Sequence, residues 1–170
     1  MTTTTRRVLW WSMTALLTIA LMAAIAFAGY QAVKFLRPAP PPAADSAAAR
    51  QAISDATKDH VTKLLSYTPE HIDEQLAKAA DLTTGEFHDS YTKLTREKVI
   101  PAAKAGQITA VTTVPGVAVQ ALTDTTATTI AFVDQTTTAG SESPTTANSA
   151  VRVGWQKVDG EWLISEFQPL

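Results

Sequence analysis

The sequence predicts an α+β domain carried behind one hydrophobic N-terminal helix, and three observations predict it. Residues 8–33 contain no Asp, Glu, Lys or Arg. From there to about Gly106 the apolar residues recur with helical spacing, and after Gly106 they alternate with a period of two. Helices first and a run of strands afterwards is the order of an α+β fold rather than of alternating strand and helix units.

The organisation then reads as a short cytoplasmic tail (1–7), a transmembrane signal-anchor helix (8–33), a Pro/Ala-rich linker (34–46) and an extracytoplasmic domain (47–170). The run from Leu9 to Tyr30 is 22 residues long; at about 1.5 Å per residue it reaches about 33 Å, enough for a hydrocarbon core of about 30 Å. Trp10, Trp11 and Tyr30 place amphipathic rings at headgroup level, and with Leu9 they form the expected membrane anchor. Arg6 and Arg7 on one side compete with Lys34 and Arg37 on the other. The short Thr-rich head with its Arg pair matches a signal-anchor n-region, which leaves the N-terminus in the cytoplasm and the rest of the chain outside. Cleavage after Ala26-Phe27-Ala28 stays open as the rival reading, although the apolar run exceeds a usual signal-peptide core.

Beyond the membrane, Arg37-Pro38-Ala39-Pro40-Pro41-Pro42 favours extended polyproline geometry and serves as a spacer. From Asp45 onward there are 16 acidic residues against 10 basic ones, and no Lys or Arg lies between Lys104 and Arg152. Nucleic acid is thereby excluded as a partner, because phosphate binding requires a basic stripe. The absence of Cys excludes disulfides and thiolate metal sites.

Ser46 to Ser66 reads as a helix with Ile53, Ala56, His60 and Leu64 on one face and Val61 and Leu65 beside it. A second helix starts at Thr68-Pro69, with Thr68 capping and Ile72, Leu76 and Ala79 or Ala80 inward. A third runs from Gly85 to Ala105, interrupted near Pro101 and ended by Gly106. Four strands follow at 107–120, 127–138, 147–158 and 161–167. Val114-Pro115-Gly116-Val117 reads as a bulge, Thr136 to Asn148 as a polar surface loop, and Asp159-Gly160 as a tight hairpin turn. The expectation is about three helices on a curved four-stranded antiparallel sheet.

Several segments carry a resemblance spread over most of the chain: Leu64-Leu65-Ser66-Tyr67-Thr68, Leu82-Thr83-Thr84-Gly85-Glu86-Phe87, Val99-Ile100-Pro101-Ala102-Ala103, and the stretch from Val158 to Leu170. With these, the sequence resembles the Mce-associated membrane proteins of actinobacteria. The resemblance implies a nuclear-transport-factor-two-like cone domain behind one membrane helix. It also implies an accessory role in assembling or stabilising an Mce-type lipid import complex in the cell envelope, with the transporter subunits or other envelope proteins as partners. More distantly the chain resembles the periplasmic domain of a type IV secretion scaffold subunit.

Chemistry is scarce in this sequence. Cone folds that are enzymes place an Asp, His or Tyr in a closed apolar pocket, whereas Asp134, Arg152 and Lys157 lie at or near strand ends. His60, His71 and His88 are 11 and 17 residues apart, so no two share a helical turn and no metal-ligand spacing arises. The reading is non-enzymatic, with no catalytic, metal or cofactor-binding residues. Phe87-His88-Asp89 with Tyr91 is the cluster an isomerase would use, and that is the lesser alternative. A lipid- or sterol-binding carrier is the other alternative, with Tyr91, Phe132, Trp155 and Trp162 as pocket lining beside Ile164 and Phe167.

Overall fold

The computed structural model describes residues 43–170. The expected tail, membrane helix and most of the linker, with Leu9, Trp10, Trp11 and Tyr30, lie outside the described residues. Among those described, no helix is long and apolar enough to cross a membrane.

A single 3-10 turn (Ala43–Asp45) leads into helix α1 (Ala47–Leu65), whose first turn is closed by the Ser46 hydroxyl accepting from the Ala49 N–H at 3.2 Å. Arg50 ties this end down. It pairs with Asp45 and donates to the Val119 carbonyl at 3.0 Å. The inner face of α1 is Ile53, Thr57, Val61 and Leu64.

Helix α2 (Ile72–Ala80) begins four residues after Thr68, a departure from the expected start. Tyr67 is held as a β-bridge to Ala110, with both N–H···O bonds at 2.9 Å, so the chain leaves it extended and turns through Pro69 before it can coil. Thr68 uses its own N–H, donating to Gln75 Oε1 at 2.9 Å, and the residue before the helix is His71.

Helix α3 (Gly85–Leu94), a π-turn (Thr95–Val99) and helix α4 (Ile100–Gly106) form one rod with the expected interruption. Pro101 has no N–H to give the preceding turn, and the Ile100 N–H reaches back to the Thr95 carbonyl, the wide spacing of a π-turn. Gly106 is the last helical residue rather than the residue after the end. Gln107 takes the left-handed position at φ 48° and caps through its side chain, donating to the Lys104 carbonyl at 3.0 Å.

The sheet is a simple antiparallel meander, β1 (Ile108–Leu122), β2 (Thr126–Ala139), β3 (Thr145–Val158) and β4 (Glu161–Pro169). Its register shifts between Thr113 and Gly116, where Pro115 cannot donate to the ladder, as the sequence suggests. The Asp159-Gly160 turn has φ 51° and 92°, the positive pair a two-residue hairpin turn requires. The expected loop over 136–148 is corrected to five residues, because Thr136 and Thr137 pair with Thr146 and Thr145. Threonine satisfies a strand whose two faces are both wet, so polarity alone misreads this segment.

Burial alternates along the strands. Ala127, Thr129, Ala131 and Val133 on β2, with Val151, Val153 and Trp155 on β3, meet α1 and its neighbours in one core, while the even-numbered residues of both strands face away from the helices.

Candidate functional site

Of the four residues expected to line a pocket, two belong to the core. Trp155 is 2% exposed. Its indole N–H donates to Thr129 Oγ1 at 3.0 Å, and its ring lies 5.3 Å from that of His60. The Tyr91 hydroxyl donates to the Leu64 carbonyl at 2.9 Å, and burial pushes this phenol well above its ordinary pKa, so it serves as a fixed structural donor. Trp162 is half-buried at one end of the sheet, with the Lys157 ammonium 5.5 Å from its ring centroid, in an open cleft of about 250 Å³. Phe132 lies on the opposite face of the sheet and is 52% exposed. The four residues therefore do not converge on one cavity.

The larger clefts lie among the helices. One of about 480 Å³ is bounded by Lys63, Ser66, Gln75, Lys78 and Leu82. Another of about 400 Å³ is bordered by Asp73, His88, Thr92, Arg96 and Ile100. Both are open surface grooves, and Trp155, Ile164 and Phe167 line neither.

The titratable groups do not gather either. His88 Nδ1 sits 3.0 Å from the Ala80 carbonyl and 3.0 Å from Thr83 Oγ1, whose own proton goes to Ala80 at 2.6 Å. The carbonyl can only accept, so Nδ1 carries the proton, and the ring is fixed as a link between α2 and α3. His60 is held below its ordinary pKa by burial first of all, an effect that Asp59 partly opposes. No three His, Asp or Glu side chains among the described residues come close enough to share a metal ion.

What remains is the sheet face turned away from the helices. Phe132 stands between Gly116 on β1 and Ala150 on β3, both too small to cover it. Its ring leans over Gly116, coming within 3.4 Å of where a Cβ would stand. The next row toward one edge is Thr113, Asp134 and Asn148, and the next toward the other is Ala118, Ile130, Arg152 and Gln168. Asp134 Oδ1 accepts from Asn148 at 2.6 Å, and Arg152 Nε is buried without a hydrogen-bond acceptor. The face thus carries an aromatic and an Arg, the side-chain types that dominate the energetics of interfaces where they are buried by a partner. Strand alternation alone places Thr128, Ile130, Phe132 and Asp134 on one face. That this face is the outer one follows from the contacts of α1 and lies beyond the pattern.

No protein-family model matches the chain. Over 126 residues, 74% of this chain and 79% of the relative, the sequence is 44% identical to the outer membrane protein Rv1973 of Mycobacterium tuberculosis. Among solved structures, an IcmL-like type IV secretion system protein from Legionella pneumophila superposes with a TM-score of 0.62 at 12% identity, covering 71% of this chain and 91% of that one. CagV, a VirB8 homologue from Helicobacter pylori, superposes with a TM-score of 0.56 at 9% identity, covering 70% and 96%. At such identities the likeness is one of fold: helices packed on a four-stranded antiparallel sheet.

Proposed function

The chain belongs to the family of the mycobacterial outer membrane protein Rv1973, and from that premise we propose that it is a non-enzymatic accessory protein of the cell envelope. In this reading the hydrophobic segment 8–33 stays in the membrane as a single-pass anchor with the N-terminus cytoplasmic. The cone domain stands outside and works by contact, assembling or stabilising an Mce-type lipid import complex. The observation that carries the reading is Phe132, 52% exposed on a broad sheet face whose flanking rows offer one acid and one base. An exposed aromatic beside an acid and a base is the kind of side chain that anchors a contact when a partner covers it.

The test is co-purification of the tagged full chain from crosslinked native membranes. Transporter subunits should be recovered with it, and Phe132→Asp should reduce their recovery roughly tenfold, the scale on which a buried aromatic anchor acts. A protein that extracts alone, and whose deletion leaves the transporter subunits at normal level, contradicts the proposal. The carrier alternative would instead bring lipid along with the purified protein.

A further inference from the structure

The tip of the β2–β3 hairpin takes no part in the contact proposed for Phe132. Across residues 136–149, eight of the fourteen are Ser or Thr, one is Pro and none is Lys or Arg, so the segment has the composition of a sugar-bearing stretch. Its two parts use their hydroxyls differently. Along the paired strands the hydroxyls serve the sheet, since Thr136 and Thr146 stand opposite each other and share a hydrogen bond at 3.0 Å. At the tip the backbone makes the turn. The Gly140 N–H donates to the Gln107 carbonyl at 3.0 Å and the Glu142 N–H to the Ala139 carbonyl at 2.9 Å. Ser141, Ser143 and Thr145 are exposed there, and among the described residues their hydroxyls have no hydrogen-bond partner. Pro144 disfavours helical backbone at Ser143 and keeps that residue extended.

We infer that this tip is a modification site, at which the hydroxyls of Ser141, Ser143 and Thr145 accept O-linked sugar. The fold loses nothing by the substitution, because none of the three hydroxyls holds the hairpin together. Charge selects a sugar over a phosphate. A phosphate would be repelled by Glu142, the neighbour of both serines, and the hairpin holds no cation to receive it. A neutral sugar meets neither cost. In the transfer the hydroxyl oxygen bonds to the anomeric carbon of a sugar phosphate donor, and the bond from that carbon to the phosphate oxygen breaks. The phosphate leaves with the electron pair, and the hydroxyl proton passes to a base of the transferase.

The inference does not depend on the Phe132 contact, and its test is separate. Trypsin releases the whole hairpin of the full chain in one peptide, residues 105–152, because no Lys or Arg lies between Lys104 and Arg152. From protein purified out of native membranes, that peptide should exceed its unmodified mass by whole sugar residues. Cleavage after Glu142 then parts Ser141 from Ser143 and Thr145, and electron-transfer fragmentation should place the sugar among these three. The combined change Ser141→Ala, Ser143→Ala and Thr145→Ala should abolish the added mass. Ser141→Thr, Ser143→Thr and Thr145→Ser, which together keep a hydroxyl at each position, should retain it. The unsubstituted chain decides the matter even where the alanine chain fails to accumulate.

A 105–152 peptide of unmodified mass overturns the inference, as does an added phosphate, a sugar carried only outside the tip, or an alanine chain that keeps the full added mass. A sugar-bearing chain that recovers no transporter subunit defeats the accessory role and leaves the modification site. An unmodified chain that recovers them does the reverse.

Discussion

At Thr129 a single hydroxyl closes the centre of the core. The Trp155 indole can only donate, and Thr57 Oγ1 gives its proton to the Ile53 carbonyl at 2.7 Å, so Thr129 accepts from Trp155 and donates to Thr57 at 3.2 Å. Every donor in the relay is used. Thr129→Val keeps the shape but leaves a buried indole N–H without an acceptor, and denaturant unfolding should show a loss of about 1–3 kcal/mol. Thr129→Ser should recover most of it; a valine variant as stable as the parent would contradict the relay. Beside it, His60 gives the fold a pH dependence. Its folded pKa lies below the ordinary 6.5, chiefly through burial, so the unfolded chain binds the extra proton more readily. Stability is therefore full above about pH 7, falls as pH drops through 6.5 toward the depressed folded value, and levels off below it. Denaturation midpoints of His60→Gln across pH 5 to 8 should lose that part of the slope, and an unchanged slope would assign it to other groups.

Among the elements, those with strong local chemistry were legible in the sequence. The Asp159-Gly160 hairpin, the Pro115 bulge and the interruption ahead of Pro101 all depend on neighbours in the chain. Two errors came from contacts distant in sequence. The Tyr67 bridge to Ala110 delays α2, and threonine pairing across β2 and β3 shortens the expected loop. On the inner face of α1 only Thr57 was missed among the buried residues, for a similar reason: it looks polar until Thr129 meets it. The site was less legible. Strand alternation separates Phe132 from Trp155, yet only helix placement says which face is wet. Gly154 marks another contact that local pattern does not show. A Cβ there would stand 2.9 Å from the Glu166 Cβ, at the register shift between β3 and β4. Gly154→Ala must push the two strands apart and should lower stability by about 1–3 kcal/mol in denaturant melts, whereas a neutral substitution would show the edge strand yielding freely.

For the whole molecule, the described domain supplies a core closed by Trp155 and a sheet face on which Phe132 stands exposed. The accessory role we propose depends on where the domain is held. The apolar segment 8–33 is the proposed anchor, with the Pro-rich residues 38–42 following it in the sequence. The most direct measurement is protease accessibility of a tag placed after Leu170 in intact spheroplasts, read in the membrane fraction after alkaline washing. The account predicts that the tag is cleaved without lysis and that the uncleaved chain stays in the alkali-washed membranes. A tag protected until the cells are broken, or a chain released by alkali, would contradict it.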